Sequence, residues 1–106
     1  MHKIQFHEEA LAELQALPAD IRGRFLRLFD RLRENATQLR EPHSKPIGDG
    51  IFELRSKGSV AARGFYFYWV DNQIVMLRFF IKKTQKAPKQ EILTAARRKK
   101  EVIDNG

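Results

Sequence analysis

Residues 51–82 read IFELRSKGSVAARGFYFYWVDNQIVMLRFFIK, and their alternation and punctuation decide the fold. Ile51–Ser56 places Phe52 and Leu54 on one face and Glu53 and Arg55 on the other, the period of two that marks a strand. Lys57-Gly58-Ser59 interrupts it as a turn. Val60–Val70 resumes as a long strand carrying Phe65, Tyr66, Phe67, Tyr68 and Trp69. Asp71-Asn72 reads as a hairpin turn, and Gln73–Lys82 as the strand that returns. The last two strands are apolar on both faces over most of their length. Each is therefore expected at the centre of a sheet covered on both sides.

Working outward, Thr37–Gly50 holds Pro42, Pro46, Gly48 and Gly50 and reads as a loop entering the sheet. Before it, Ile21, Phe25, Leu28, Phe29 and Leu32 recur at helical spacing, with Arg22, Arg24, Arg27, Asp30, Arg31 and Glu34 on the opposite face. Leu11, Leu14 and Leu17 form a narrower helical stripe that Pro18 ends. Residues 7–36 are thus expected as a helical hairpin turning at Pro18. Its start is set by His7-Glu8-Glu9, since carboxylates favour a first turn. Lys3–Phe6 is a short first strand. Downstream, Ala87-Pro88 opens a C-terminal helix with Ile92, Ala95, Ala96, Val102 and Ile103 as its apolar positions. The expected architecture is α+β: a small antiparallel sheet with an N-terminal helical hairpin and a C-terminal helix, order β-α-α-β-β-β-α.

At 106 residues the chain is one domain, 1–106. The absence of cysteine excludes a disulfide scaffold, a thiol nucleophile and a thiolate zinc site. No apolar run approaches the roughly 20 residues of a membrane span, and MHKIQFHEEA has no signal-peptide core. The expectation is a soluble, cytoplasmic protein with no membrane partner. The net charge of +7 is unevenly placed. Residues 1–50 carry eight Lys/Arg and eight Asp/Glu, whereas residues 51–106 carry twelve and five. Between Lys82 and Lys100 stand eight cations and one carboxylate, Glu91. Such a segment is either a polyanion site or a solvated face.

Polar residues inside apolar strands decide between them. Arg63 shares a face with Phe65, Phe67 and Trp69, and Arg78 falls among Met76 and Phe80. If the strands at 51–56 and 60–70 form a hairpin, Arg55 and Arg63 project to the same side. Arg78 reads as a structural residue paired with Glu53 or a helix carboxylate. Arg63 has a bland reading too, as a partner of Glu53. For Arg55 with Arg63 the functional reading is preferred, because two guanidinium groups on one face repel unless an anion joins them. Lys82 and Lys83 close the last strand. Tyr66 and Tyr68 fall on the face opposite Arg63 and read as core. No Gly-rich phosphate loop or carboxylate pair is present, and the lone loop histidine, His43, reads as a surface residue. Asp49 and Glu53 are the only carboxylates near the sheet entrance, too few for two-metal phosphoryl chemistry. No metal or cofactor is therefore expected. RNA cleavage suits the remaining inventory, since the 2′-OH is a built-in nucleophile and the protein need only align it, stabilise charge and move protons. Crowded cations lower one another's proton affinity, which lets a lysine serve as base or acid.

Glu53-Leu54-Arg55, Arg63-Gly64-Phe65-Tyr66, and Phe80-Ile81-Lys82-Lys83-Thr84-Gln85-Lys86-Ala87-Pro88, with Glu91 and Ala95 beyond, resemble the RelE/ParE toxin superfamily, most nearly its HigB-like, phage-derived branch. The resemblance covers nearly the whole chain, and the Phe-x-Lys-Lys-Thr-x-Lys-x-Pro run is its most specific part. It implies the toxin of a type II toxin–antitoxin system that inhibits translation by cutting mRNA, typically on the ribosome and without metal. The products are a 2′,3′-cyclic phosphate and a 5′-hydroxyl. It also implies a cognate antitoxin, expected as a helix-turn-helix protein, as partner. Catalysis would fall to Arg55, Arg63, Lys82 and Lys83, and RNA binding to Lys57, Lys86 and Lys89. Two positions depart from RelE: Glu53 stands where RelE has a lysine, and Lys89 stands about where its C-terminal tyrosine would fall. A lysine would have to act as base or acid. The alternatives are a ParE-type toxin that inhibits DNA gyrase without nuclease activity, and a basic RNA-binding module.

Overall fold

The β-hairpin pattern of residues 51–82 builds the centre of the sheet. The computed structural model describes residues 2–35, 38–39, 43–86 and 88–106. Its elements are β1 (Lys3–Phe6), α1 (Glu8–Gln15), α2 (Ala19–Asn35), β2 (Ser44–Gly48), β3 (Ile51–Lys57), β4 (Ala61–Trp69), β5 (Gln73–Ile81) and α3 (Lys89–Asn105). Five strands form one sheet in the order β1-β5-β4-β3-β2. Two features differ from the sequence expectation. The sheet is mixed, because β1 pairs with β5 in parallel. The segment read as a loop contains a fourth strand of the meander, β2, antiparallel to β3. Proline and glycine concealed it. Pro46 sits opposite Phe52 on the edge strand, where a missing N–H removes no ladder bond. Thr37, Arg40, Glu41 and Pro42 of that expected loop, and Ala87 before the last helix, lie outside the described residues.

The turns follow local chemistry. Asp71 and Asn72 both take φ of 58°, the left-handed pair that a two-residue hairpin loop needs. At the β2–β3 turn, Gly48 has φ 104° and Gly50 has φ 72°, with Asp49 between them at 55°. His7 caps α1: its Nδ1 accepts from the Glu9 amide at 3.2 Å, so Nε2 carries the proton and donates to Glu101 at 2.8 Å.

Both sheet faces are covered. On one, Ala10, Leu14, Ile21, Phe25, Phe29 and Leu32 of α1 and α2 pack on Leu54, Ala62, Tyr66, Ile74, Met76 and Phe79. On the other, α3 places Ala95 against Ile51, Phe65, Phe67, Val75, Leu77 and Phe80. Alternation along β5 breaks in its middle: Phe65 pairs with Arg78 and Tyr66 with Met76, leaving Leu77 as an extra, bulged residue. Met76 is thereby on the α1/α2 face while Arg78 keeps company with Phe80, 6.0 Å from that ring. The strict period of two, which put Met76 and Arg78 on one face, fails at this residue.

The bulge lies just past the point where β1 ends, so the edge of β5 is finished by side chains. The Phe79 amide donates to Glu13 at 3.2 Å, and Arg98 donates to the Leu77 carbonyl at 2.9 Å. Arg98, 4% exposed, also pairs with Glu13 at 2.8 Å and Glu9 at 3.0 Å. Arg78 pairs with Glu13 and, at 2.9 Å, with Glu91. One ionic network thus ties α1 to α3 around an open strand edge. Desolvation alone would raise the Glu13 carboxyl, but the Arg98 hydrogen bond, the Phe79 amide and the charges of Arg78 and Arg98 hold it below the usual range. A depressed folded-state pKa stabilises above the unfolded value, about 4.3 for a glutamate, and is lost as pH falls through the folded one. Thermal melts from pH 7 to pH 3 are expected to fall more steeply for the native chain than for Glu13→Gln. Parallel curves would contradict this.

Candidate functional site

β3 and β4 bring Arg55 and Arg63 into direct cross-strand register. The Arg55 amide bonds outward to the His43 carbonyl at 2.9 Å, so the pair occupies a non-hydrogen-bonded position of the β3–β4 ladder, where side chains stand closest. Two like charges placed so destabilise the sheet unless compensated. The compensating anion is Glu53, two residues earlier on the same face. Its carboxylate accepts from Arg55 Nε at 2.9 Å and lies 3.6 Å from Arg63 Nε. The inference that an external anion must join the two guanidinium groups is therefore corrected, because the chain provides one itself. Both Glu53 and Arg63 are buried. Arg63 Nη1 donates to the Ala62 carbonyl at 3.0 Å, and its Nε has no hydrogen-bond partner among the described residues. Burial lowers the Arg63 pKa from its ordinary value, Glu53 opposes that, and Arg55 adds to it.

The basic residues after β5 come next to this pair. The Lys82 amide continues the ladder to Ala61 at 2.9 Å. Arg63, Lys82, Lys83, Thr84 and Gln85 line a cleft of about 240 Å³ with Ala61. An adjoining depression holds Lys82, Lys83, Lys86, Lys89 and Glu91. Arg55 and Lys57 instead open on a third cavity, against α2. The structure thus gathers Arg63 with Lys82 and Lys83, sets Lys86 and Lys89 beside them, and leaves Lys57 on the far side of Arg55. Arg78 is committed to Glu13 and Glu91, as expected. Tyr66 is fully buried on the face away from Arg63; Ser44 Oγ and Tyr66 Oη lie 2.6 Å apart, and burial raises the phenol pKa despite that contact.

Sequence reasoning missed the third cavity, about 360 Å³ in volume and lined by Arg24, Arg27, Leu28, Arg31, His43, Arg55, Ser56 and Lys57. The α2 arginines looked like a solvated helix face, and the balanced charge of residues 1–50 hid their clustering. Their spacing at i, i+3 and i+7 was the available signal. Gly58 brings β3 close to α2 here: a Cβ on it would stand 2.8 Å from Arg24 Nε and 2.9 Å from Ile21 Cδ1. Asp20 fastens the same turn by accepting from the Ser59 amide at 2.9 Å and its hydroxyl at 3.0 Å, bonds that lower its pKa. Among the described residues no group of three His, Cys, Asp or Glu could hold a metal, and no helix is long and apolar enough to cross a membrane.

No curated protein matches the chain in sequence. The family model described as phage derived protein Gp49-like (DUF891) matches residues 12–100. Among solved structures, a free-state mutant of the E. coli toxin RelE superposes with a TM-score of 0.69 at 16% identity, covering 92% of this chain and 96% of that one. The toxin–antitoxin complex RelBE2 from Mycobacterium tuberculosis gives 0.58 at 23% identity, over 76% and 98% of the two chains. The archaeal RelE–RelB complex from Pyrococcus horikoshii OT3 gives 0.56 at 25%, over 81% and 98%. The match over residues 12–100 places the chain in the Gp49-like phage-derived protein family, and its fold is that of the RelE toxins.

Proposed function

We propose that this chain is the toxin of a type II toxin–antitoxin pair, of the HigB-like branch, acting in the cytoplasm as a metal-independent endoribonuclease on ribosome-bound message. The observation that carries the proposal is the cleft in which Arg63, Lys82 and Lys83 converge beside the Arg55–Arg63 pair. In the reaction the 2′-oxygen of one nucleotide attacks the adjacent phosphorus, and the bond from phosphorus to the 5′-oxygen breaks. The 2′-OH loses a proton and the leaving 5′-oxygen gains one, giving a 2′,3′-cyclic phosphate and a 5′-hydroxyl. Arg55 and Arg63 stabilise the charge that develops on the non-bridging oxygens, the step at which a fixed, half-desolvated guanidinium counts most. Lys82 and Lys83 supply the proton transfers and hold phosphate. Glu53 keeps both guanidinium groups in place and is a positioning residue. Lys86 and Lys89 extend the cationic surface along the strand of RNA, and Lys57 extends it on the other side of Arg55. An antitoxin is the expected protein partner, as in the RelE–RelB complexes of the same fold.

One observation favours a second reading. Glu53 already bonds Arg55 and lies 3.6 Å from Arg63 Nε, so the pair's charge is balanced without an external phosphate, which suits a ParE-type toxin that binds gyrase and cuts no RNA. Brief induction in cells separates the two, with 5′ ends of RNA mapped alongside a DNA-damage reporter. New internal 5′-hydroxyl ends in coding regions with a silent reporter are expected. Intact message with the reporter on would overturn the nuclease reading.

A further inference from the structure

The cavity between α2 and the end of β3 is bordered by five arginine and lysine residues and by no carboxylate. Arg24, Arg27 and Arg31 line it from the helix, His43 from the segment before β2, and Arg55 and Lys57 from the strand. The other arginines of α2 are engaged: Arg22 donates to the Gln15 and Leu17 carbonyls, and Arg33 pairs with Asp30. Arg24, Arg27 and Lys57 have no carboxylate partner among the described residues, and the nearby Asp20 is occupied by Ser59. Arg31 donates to His43 Nε2 at 2.9 Å, so that ring nitrogen carries no proton and the imidazole adds no anion to the cluster. Arg24, Arg27 and Lys57, without a carboxylate to balance them among the described residues, repel one another, and an incoming polyanion relieves that repulsion.

We propose that this groove is a second RNA site, which holds successive phosphates of the message strand on its way to the Arg63–Lys82–Lys83 cleft. The proposal rests on the nuclease reading above and adds the path of the strand. Three features favour it. First, the arginine stripe from residue 24 to residue 31 extends about 10 Å at 1.5 Å per helical residue, which is long for one phosphate and suited to a chain of them. Second, guanidinium groups bind phosphate in a planar, two-pronged manner. Third, five of the eight residues that line it are arginine or lysine and none is acidic, so the groove's charge suits a polyanion. Arg55 joins the two sites: it borders the groove and, through Glu53, stands beside Arg63.

The test uses the whole purified chain and a fluorescein-labelled single-stranded RNA of 20 nucleotides, fully 2′-O-methylated so that no cleavage occurs. Anisotropy titrations from 50 to 200 mM salt compare the native chain with Arg24→Gln/Arg27→Gln, exposed positions whose replacement removes the charge and keeps a polar, helix-compatible side chain. The double variant is expected to bind about tenfold more weakly at 100 mM salt, with a log–log salt slope shallower by about 0.7 per lost phosphate contact. An unchanged affinity and slope, or no RNA binding by the native chain, would overturn the proposal. So would loss of binding to a poly-glutamate peptide with RNA binding retained, which would assign the groove to an acidic protein segment. Because the probe cannot be cut, the result is independent of nuclease activity. A native chain that binds it through Arg24 and Arg27 yet leaves message intact would retain the groove and discard the nuclease.

Discussion

Arg63→Ala is expected to slow message cleavage by about 10²–10³, equivalent to some 2–4 kcal/mol of lost transition-state stabilisation. Arg55→Ala should lose a similar factor, and either change should abolish growth arrest. The effect is large because each guanidinium is held in position before substrate arrives: Glu53 orients both, and Ala62 fixes Arg63. Removing Arg63 also leaves Glu53 buried with one cation instead of two, so a stability loss of about 1–3 kcal/mol accompanies it. Circular dichroism and a thermal melt must therefore be run beside the kinetics. Full toxicity in a folded Arg55→Ala/Arg63→Ala chain would remove this pair from the site.

Arg98→Ala should cost about 3–5 kcal/mol of stability, as much as truncating a core aromatic. The substitution leaves Glu9 without its cation, Glu13 with Arg78 alone, and the Leu77 carbonyl without its donor at an open strand edge. Hydrogen bonding to Glu13 raises the Arg98 pKa more than burial lowers it, and the charges of Glu13 and Glu9 add to the rise, so this cation stays charged in the fold. Domains of this size are stable by about 5–15 kcal/mol in total. At 4–8 °C per kcal/mol, a loss of 3 kcal/mol would lower the melting temperature by about 12–24 °C. Combining Arg98→Met with Glu9→Gln and Glu13→Gln should recover much of that loss, since it removes the stranded charges together. A drop of under 1 kcal/mol in Arg98→Ala would show that the network is not what joins α1 to α3.

The strongest periodicities were legible. Ile21 to Leu32 specified α2, and the aromatic run with Asp71-Asn72 specified the central hairpin, because burial on one or two faces writes directly into residue type. Features that depend on partners distant in sequence were not. Pro46 and Gly48 resemble loop residues until β3 is beside them, and only then is the edge position of β2 evident. The Leu77 bulge has no local signature: Arg98, 21 residues from Leu77, and Glu13, 66 residues from Phe79, supply the hydrogen bonds around it. The same limit applied to the site. Strand alternation put Arg55 and Arg63 on one side of the sheet, but their direct register and Glu53 as an anion shared by both required the geometry, and charge counting by halves averaged away the α2 arginines.

The central claim is that this chain cuts message by 2′-OH attack, and the chemistry of the cut ends tests it most directly. Purified protein is added to ribosomes stalled on a defined message, and the fragments are treated with polynucleotide kinase and labelled ATP without prior phosphatase. Fragments whose 5′ ends label at once carry a 5′-hydroxyl, and their upstream halves should end in a cyclic phosphate. The account predicts that result for the native chain, and loss of the fragments in Arg63→Ala. Message that stays intact, or ends that label only after phosphatase treatment, would contradict it.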